Sequence, residues 1–116
     1  MSIVMLSKQY RLPANTRLQN SRSFNYPLFS LRTANNNLEY SRFGFVVSKK
    51  TDKRATARNR IRRLFRSCIE EMFDEIKVGH DMLFFLKNGI LEIERKNLYN
   101  QIYGFLKEKK LLTDKA

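Results

Sequence analysis

Apolar positions in this chain follow two rhythms, and the switches between them mark its elements. In "RFGFVVSKK" (42–50), Phe43, Phe45 and Val47 share one face by period two, and Gly44, Val46 and Ser48 share the other. That pattern predicts a strand. "FNYPLFSLRT" (24–33) predicts an earlier strand with Phe29 and Leu31 on one face, and the Asn-rich "ANNNLEYS" (34–41) predicts a turn. "HDMLFFLK" (80–87) is a short apolar run, read as a buried strand. Residues 1–23 are polar and irregular, and "LPANTRLQNSRS" lacks a helical rhythm.

Between the second and third strands the period changes. With Ile61 as origin and ~100° per residue, Leu64, Phe65, Cys68, Ile69, Met72 and Ile76 fall within roughly 80° of it, with Phe73 at the margin. A helix over about 56–77 follows, roughly 33 Å long at ~1.5 Å per residue. Val78-Gly79 ends it. "NGILE" turns into a last helix, about 92–109, with Leu98, Ile102, Phe105 and Leu106 on one side, and "LLTDKA" is a tail. The order β-β-α-β-α predicts a small α/β (α+β) two-layer sandwich, one sheet with helices packed on it. One domain covers residues 1–116, with its folded core over 24–110.

Charge changes the picture of the long helix. Residues 49–66 hold Lys49, Lys50, Lys53, Arg54, Arg58, Arg60, Arg62, Arg63 and Arg66 against only Asp52, and Glu70, Glu71, Asp74 and Glu75 crowd the other end. The helix dipole favours the reverse order, at ~0.3–1 kcal/mol per charge. Asn59, Arg63 and Arg66 lie opposite the apolar stripe, flanked by Arg60 and Arg62. Arg58 points toward the apolar side and lies in the first turn or snorkels out. Arginine, whose planar fork grips phosphate and stacks on bases, outnumbers lysine here. The whole chain carries a formal net charge of +12, from 23 Lys plus Arg and 11 Asp plus Glu. Such a surplus predicts a polyanionic partner.

Other chemistries find little to work with. A single cysteine, Cys68, forms no internal disulfide, and Cys68 with the single histidine, His80, makes neither a zinc site nor a nucleophilic pair. No catalytic constellation or metal site is expected, which disfavours a stand-alone nuclease. The acids at 70–75 read as a solvated helix end. No run approaches ~20 apolar residues, and "MSIVMLSKQYRL" has no basic n-region, so neither a membrane span nor a signal peptide is expected, and the predicted location is the cytoplasm.

"SKK" (48–50), a short basic gap and "RATARNRIRRLFR" (54–66) resemble the bacterial ribonuclease P protein subunit. The shared signature is Arg58-Asn59-Arg60, then Arg62, Arg63 and Arg66, between strands "RFGFVVSKK" and "HDMLFFLK"; the likeness runs over residues 24–110. The resemblance implies a fold similar to the second domain of a small-subunit ribosomal protein, with a left-handed β-α-β crossover. It also implies a protein cofactor of a catalytic RNA, one protein per RNA, that removes the 5′ leader of precursor tRNA. Hydrolysis then belongs to the RNA and its Mg²⁺, the protein alone binds no cofactor, and neither a membrane nor an obligate protein partner is involved. The implied RNA-binding set is Lys49, Lys50, Lys53, Arg54, Arg58, Asn59, Arg60, Arg62, Arg63 and Arg66. A leader cleft is expected on the sheet face opposite the long helix, from Ser30, Arg32, Val46 and Ser48 with Tyr26 nearby. The family's N-terminal helix has no counterpart in the short, polar "RLPANTRLQNSRSF" (11–24), where Pro13 and the Asn and Ser residues oppose a helix. Two other readings stay open: a structural RNA-binding protein of the ribosome, and a DNA-binding module, although no short helix–turn–helix pair surrounds the basic segment.

Overall fold

The structure, a computed structural model, describes residues 6–113. Strands β1 (Arg22–Tyr26), β2 (Phe29–Asn35), β3 (Arg42–Val46) and β4 (His80–Leu86) form one sheet in the order β1-β2-β4-β3. β2 runs antiparallel to both β1 and β4, whereas β3 and β4 are parallel. A parallel pair needs a crossover, and helix α1 (Ala55–Glu71) supplies it. Helix α2 (Arg95–Glu108) follows β4.

Alternation in the strands aims the apolar set at the helices. Phe29, Leu31, Phe43, Phe45, Met82, Phe84 and Leu86 are all buried on that face. Phe65 of α1 meets Phe29, Phe45 and Phe84 with ring centroids 5.2, 5.8 and 4.9 Å away. Phe105 of α2 meets Phe29 at 4.9 Å and Tyr26 at 5.5 Å. Edge-on and tilted aromatic pairs of this kind add ~0.5–1.5 kcal/mol each to the area they bury.

Several boundaries differ from the sequence reading. The strand expected over 24–33 is a hairpin: Tyr26 pairs with Phe29, leaving Pro27 and Leu28 as a two-residue turn. Pro27 has no N–H for a ladder, so it sits in the turn. α1 ends at Glu71, not near 77, and a 3₁₀ turn (Phe73–Glu75) follows. Met72 and Ile76 continue the apolar stripe and are buried, but from Glu75 on the backbone pairs outside the helix. Ile76 bridges Leu112, Lys77 N donates to Leu111 O at 2.9 Å, and Thr113 N donates to Glu75 O at 2.8 Å. The expected tail is therefore part of the core through residue 113; its last three residues lie outside the described ones. "NGILE" forms a 3₁₀ turn (Asn88–Glu92) that buries Ile90, and α2 starts at Arg95 rather than 92.

The core also extends before residue 24. Leu6 and Leu12 are buried, and a 3₁₀ turn covers Lys8–Tyr10. Residues 11–24 hold no helix, in keeping with their polar sequence. Arg11 instead bridges Phe43 on the outer edge of β3, and Leu12 N donates to Phe43 O at 2.7 Å. Leu12 then lies over Gly44, where a Cβ would stand 2.5 Å from Leu83 Cδ1 and 3.0 Å from the Leu12 carbonyl oxygen. A side chain at this position would have to push Leu83 and Leu12 aside.

Candidate nucleic-acid interface

The turn that leads into α1 is tightly built. Thr51 N and Asp52 N both donate to Ser48 O, and the Ser48 hydroxyl lies 3.1 Å from that of Thr51. Asn88 Nδ2 donates to Thr51 O, tying the turn to the strand-end beside it. Asp52 receives Arg54 Nε at 3.0 Å and Nη2 at 2.9 Å. These bonds from the Arg54 side chain, then one from its backbone, hold the Asp52 carboxyl down to about 2. Lys49, Lys50 and Lys53 project from this turn, exposed.

Within α1 the arginines divide by flank. Arg58, Arg62 and Arg66 are half-buried, and Arg66 reaches the edge strand β3. Arg58 Nη1 donates to the carbonyls of Asp52 and Lys53, both at 2.9 Å, so it closes the turn into the helix. Arg62 Nη2 donates to the Asn59 side-chain oxygen. Burial lowers the Arg62 pKa, and the neighbouring charges of Arg58 and Arg66 press the same way. The Arg66 guanidinium lies 5.7 Å over the Phe45 ring, with its Nε buried and unpartnered. Arg66 therefore does not stand clear on the solvent face, contrary to the helical-wheel expectation; its stem and ring contact fill the edge of the core.

On the opposite flank, Arg60 and Arg63 are exposed and line a groove of about 270 Å³ with Leu64 and Ser67. Ser67, at one end of that groove, is bonded by Arg95 of α2, which also pairs with Glu71 at 2.9 Å. Among the described residues, no carboxylate lies within ion-pair distance of Lys49, Lys50, Lys53, Arg60 or Arg63. The first turn of α1 has no acid and Arg54 makes no side-chain cap, so its amide donors remain open.

Three of the four acids at the other end have partners, while Asp74 is exposed with no hydrogen bond or ion pair among the described residues, as a solvated helix end would be. Glu70 accepts from Leu6 N, Glu71 pairs with Arg95, and Glu75 accepts from the Tyr103 hydroxyl. Cys68 is buried, and burial raises its thiol pKa. Among the described residues, no three His, Cys, Asp or Glu side chains gather in one place.

The sheet's second face carries the other predicted set. Ser30 and Val46 each stand opposite Phe85 of β4, and the Arg32 guanidinium lies 5.7 Å over the Phe85 ring. Ser48 lies beyond β3, in the turn before α1. Tyr26 is on the other side: it stacks on Phe29 at 4.9 Å and donates its hydroxyl to Gln101 of α2. Its pairing with Phe29 puts it on the helix face. Phe85, half-buried on the second face near the end of β4, was not among the predicted residues. The run "LFFL" hid it, although strict alternation from Phe84 places it there. Because β3 and β4 are parallel and α1 starts just after β3, this platform and the basic end of α1 share one end of the sheet.

The Ribonuclease P family model matches residues 6–110. The ribonuclease P protein component of Alkaliphilus metalliredigens is 32% identical over 95 residues, covering 82% of this chain and 85% of that one. Its counterpart from Marinomonas sp. is 43% identical over 67 residues, 55% of this chain and 48% of that relative's length. Among solved structures, the Staphylococcus aureus RNase P protein aligns with a TM-score of 0.76 at 25% identity, over 91% of this chain and 100% of that one. The Thermotoga maritima RNase P protein shares the fold, with a TM-score of 0.70 at 22% identity over 78% and 84% of the two chains. The chain belongs to the ribonuclease P protein family.

Proposed function

We propose that this chain is the protein subunit of a cytoplasmic ribonuclease P, binding the catalytic RNA and the 5′ leader of precursor tRNA. Supporting this is one observation above all: five exposed cations without acid partners, Lys49, Lys50, Lys53, Arg60 and Arg63, cluster at one end of a family-matched fold. In this reading they contact phosphates of the ribonuclease P RNA, one protein per RNA, and Arg54 and Asn59 contribute at the same end. Arg58 and Arg66 serve twice, adding charge to this face while Arg58 closes the entry turn and Arg66 packs on Phe45, and Arg62 adds charge beside Asn59. Mg²⁺ and the hydrolytic step belong to the RNA; the protein's part is electrostatic and positional.

The leader strand is assigned to the second sheet face. There Phe85 and Arg32 form a stacking platform bordered by Ser30 and Val46, next to Ser48. Aromatic and guanidinium planes accept any base, at ~1–3 kcal/mol per stacked base, which suits a leader of varied sequence. Leu12 covers the part of this face over Gly44.

The test is 5′ processing of a precursor tRNA by the cognate ribonuclease P RNA at low Mg²⁺, with and without the protein. Strong stimulation is the expected result, and Phe85→Ala is expected to reduce it for leader-bearing substrate while leaving RNA binding intact. An RNA active alone at high Mg²⁺ yet indifferent to the protein at low Mg²⁺ contradicts the assignment.

A further inference from the structure

The far end of the sheet, away from the basic end of α1, holds a second cationic feature. β1 begins there at Arg22, β2 ends there at Thr33–Asn35, and β4 begins there at His80. β2 is seven residues long, so at ~3.3 Å per residue this end lies roughly 20 Å from the Phe29 end. A cavity of about 240 Å³ opens there on the helix side, lined by Asn20, Arg22, Thr33, Ala34, Asn35 and His80. Its lining contains no carboxylate. Asp81, next to His80 in the chain, is committed elsewhere: it accepts two bonds from Arg42 and one from Asn36.

Thr33 forms the floor of this cavity. The residue is 1% exposed, and its hydroxyl is buried with no hydrogen-bond partner. An orphaned buried hydroxyl costs about 1–3 kcal/mol, so in a folded protein it calls for a partner. Arg22 and His80 stand over the same space. Their surroundings are positive: burial first, then Lys77 and Arg22, lower the His80 pKa. A cation, two amide side chains, an imidazole and an unpartnered hydroxyl around one cavity match a tetrahedral oxyanion, whose oxygens accept from several donors at once.

We propose that this cavity is a phosphate-binding site, held by Arg22 and His80 over the Thr33 hydroxyl and separate from the arginine face of α1. The donors fit a phosphate group on a nucleic-acid strand, and equally a free or terminal phosphate. The inference stands on the cavity itself and does not depend on the ribonuclease P assignment.

His80 is the sole histidine, so its imidazole signals in a proton–carbon NMR spectrum report on this cavity alone. Inorganic phosphate titrated into the full chain is expected to move those signals along a saturable curve. Arg22→Gln and Thr33→Val are each expected to weaken the apparent affinity roughly tenfold, as loss of one charge-assisted bond implies. Arg63→Gln, on α1, is expected to leave the curve in place. A short single-stranded RNA without terminal phosphates that reproduces the shift assigns the site to backbone phosphodiesters; a response to inorganic phosphate alone assigns it to a free or terminal phosphate. A linear, non-saturating response overturns the site, and so does a saturable one that Arg22→Gln leaves unchanged, since Arg22 is exposed and its replacement gives up only a surface contact with the Phe24 ring.

Discussion

Two arginines three positions apart on α1, Arg63 and Arg66, look alike in the sequence and differ in the structure. Arg63 is exposed at the groove, whereas Arg66 is half-buried with its guanidinium over Phe45. Removing Arg63 deletes a charge and little else. Removing Arg66 deletes a charge, a cation–π contact and the packing of its stem. Arg63→Ala is expected to leave stability within ~0.5 kcal/mol of the parent while weakening RNA binding. Arg66→Ala is expected to weaken binding and also to cost about 1–2 kcal/mol of stability. Urea unfolding of both variants beside RNA titrations separates the two roles; equal stability would place Arg66 on the free surface after all. The helical wheel contained this distinction only for the other half-buried arginines. At ~100° per residue, Arg58 and Arg62 lie roughly 60° and 100° from Ile61, on one margin of the apolar stripe, but Arg66 lies roughly 140° away, on the side that the wheel gives to solvent. What the wheel lacked was the neighbour: an edge strand whose Phe45 lies within reach of Arg66.

At the scale of elements, local periodicity revealed which segments are helix and strand, and long-range backbone pairing decided where they end. β3, β4, α1 and α2 are all evident from their rhythms. The early end of α1 is not, because the 3₁₀ turn after it exists to let residues 75–77 pair with 111–113. No window on the helix contains that partner. The same reason hid the role of "LLTDKA": Leu111 and Leu112 are 1% and 5% exposed, yet two leucines near the chain's end carry no periodic signal. Lys110, in left-handed backbone at φ 60°, turns the chain back from α2 so that they can dock. Leu111→Ala is expected to destabilise by about 2–4 kcal/mol, as for other large-to-small core changes. The arginine end of α1 is remote from this clip, so the folded fraction is expected to bind RNA with unaltered affinity. Thermal unfolding with and without RNA checks both parts, and a loss of affinity in the folded fraction would tie the clip to the binding face.

Across the whole molecule, a net charge of +12 can act in two ways: as a diffuse field or as a set of placed contacts. The structure distinguishes them by partner. Many basic residues lie far from α1's entry, including the exposed Lys107 in the last turn of α2. Glu70 and Glu71 on α1 and Glu75 in the turn after it are used internally, by Leu6, Arg95 and Tyr103, so the positive end stays unopposed while the opposite end is partly neutralised. Placed contacts release counterions at defined phosphates, about 0.7–0.9 per contact, and each one removed lowers the salt dependence by that amount. With Lys49, Lys50, Lys53, Arg60 and Arg63 in contact, they together contribute about −3.5 to −4.5 to the slope of log affinity against log salt for ribonuclease P RNA. Arg60→Ala is expected to flatten the slope by about 0.7–0.9, and Lys107→Ala to leave it unchanged. Both variants remove one positive charge from an exposed helix position, so they alter the overall field alike and differ only in place. Equal flattening by the two would show that the charge acts as a field, and would remove α1's basic end as the specific RNA face.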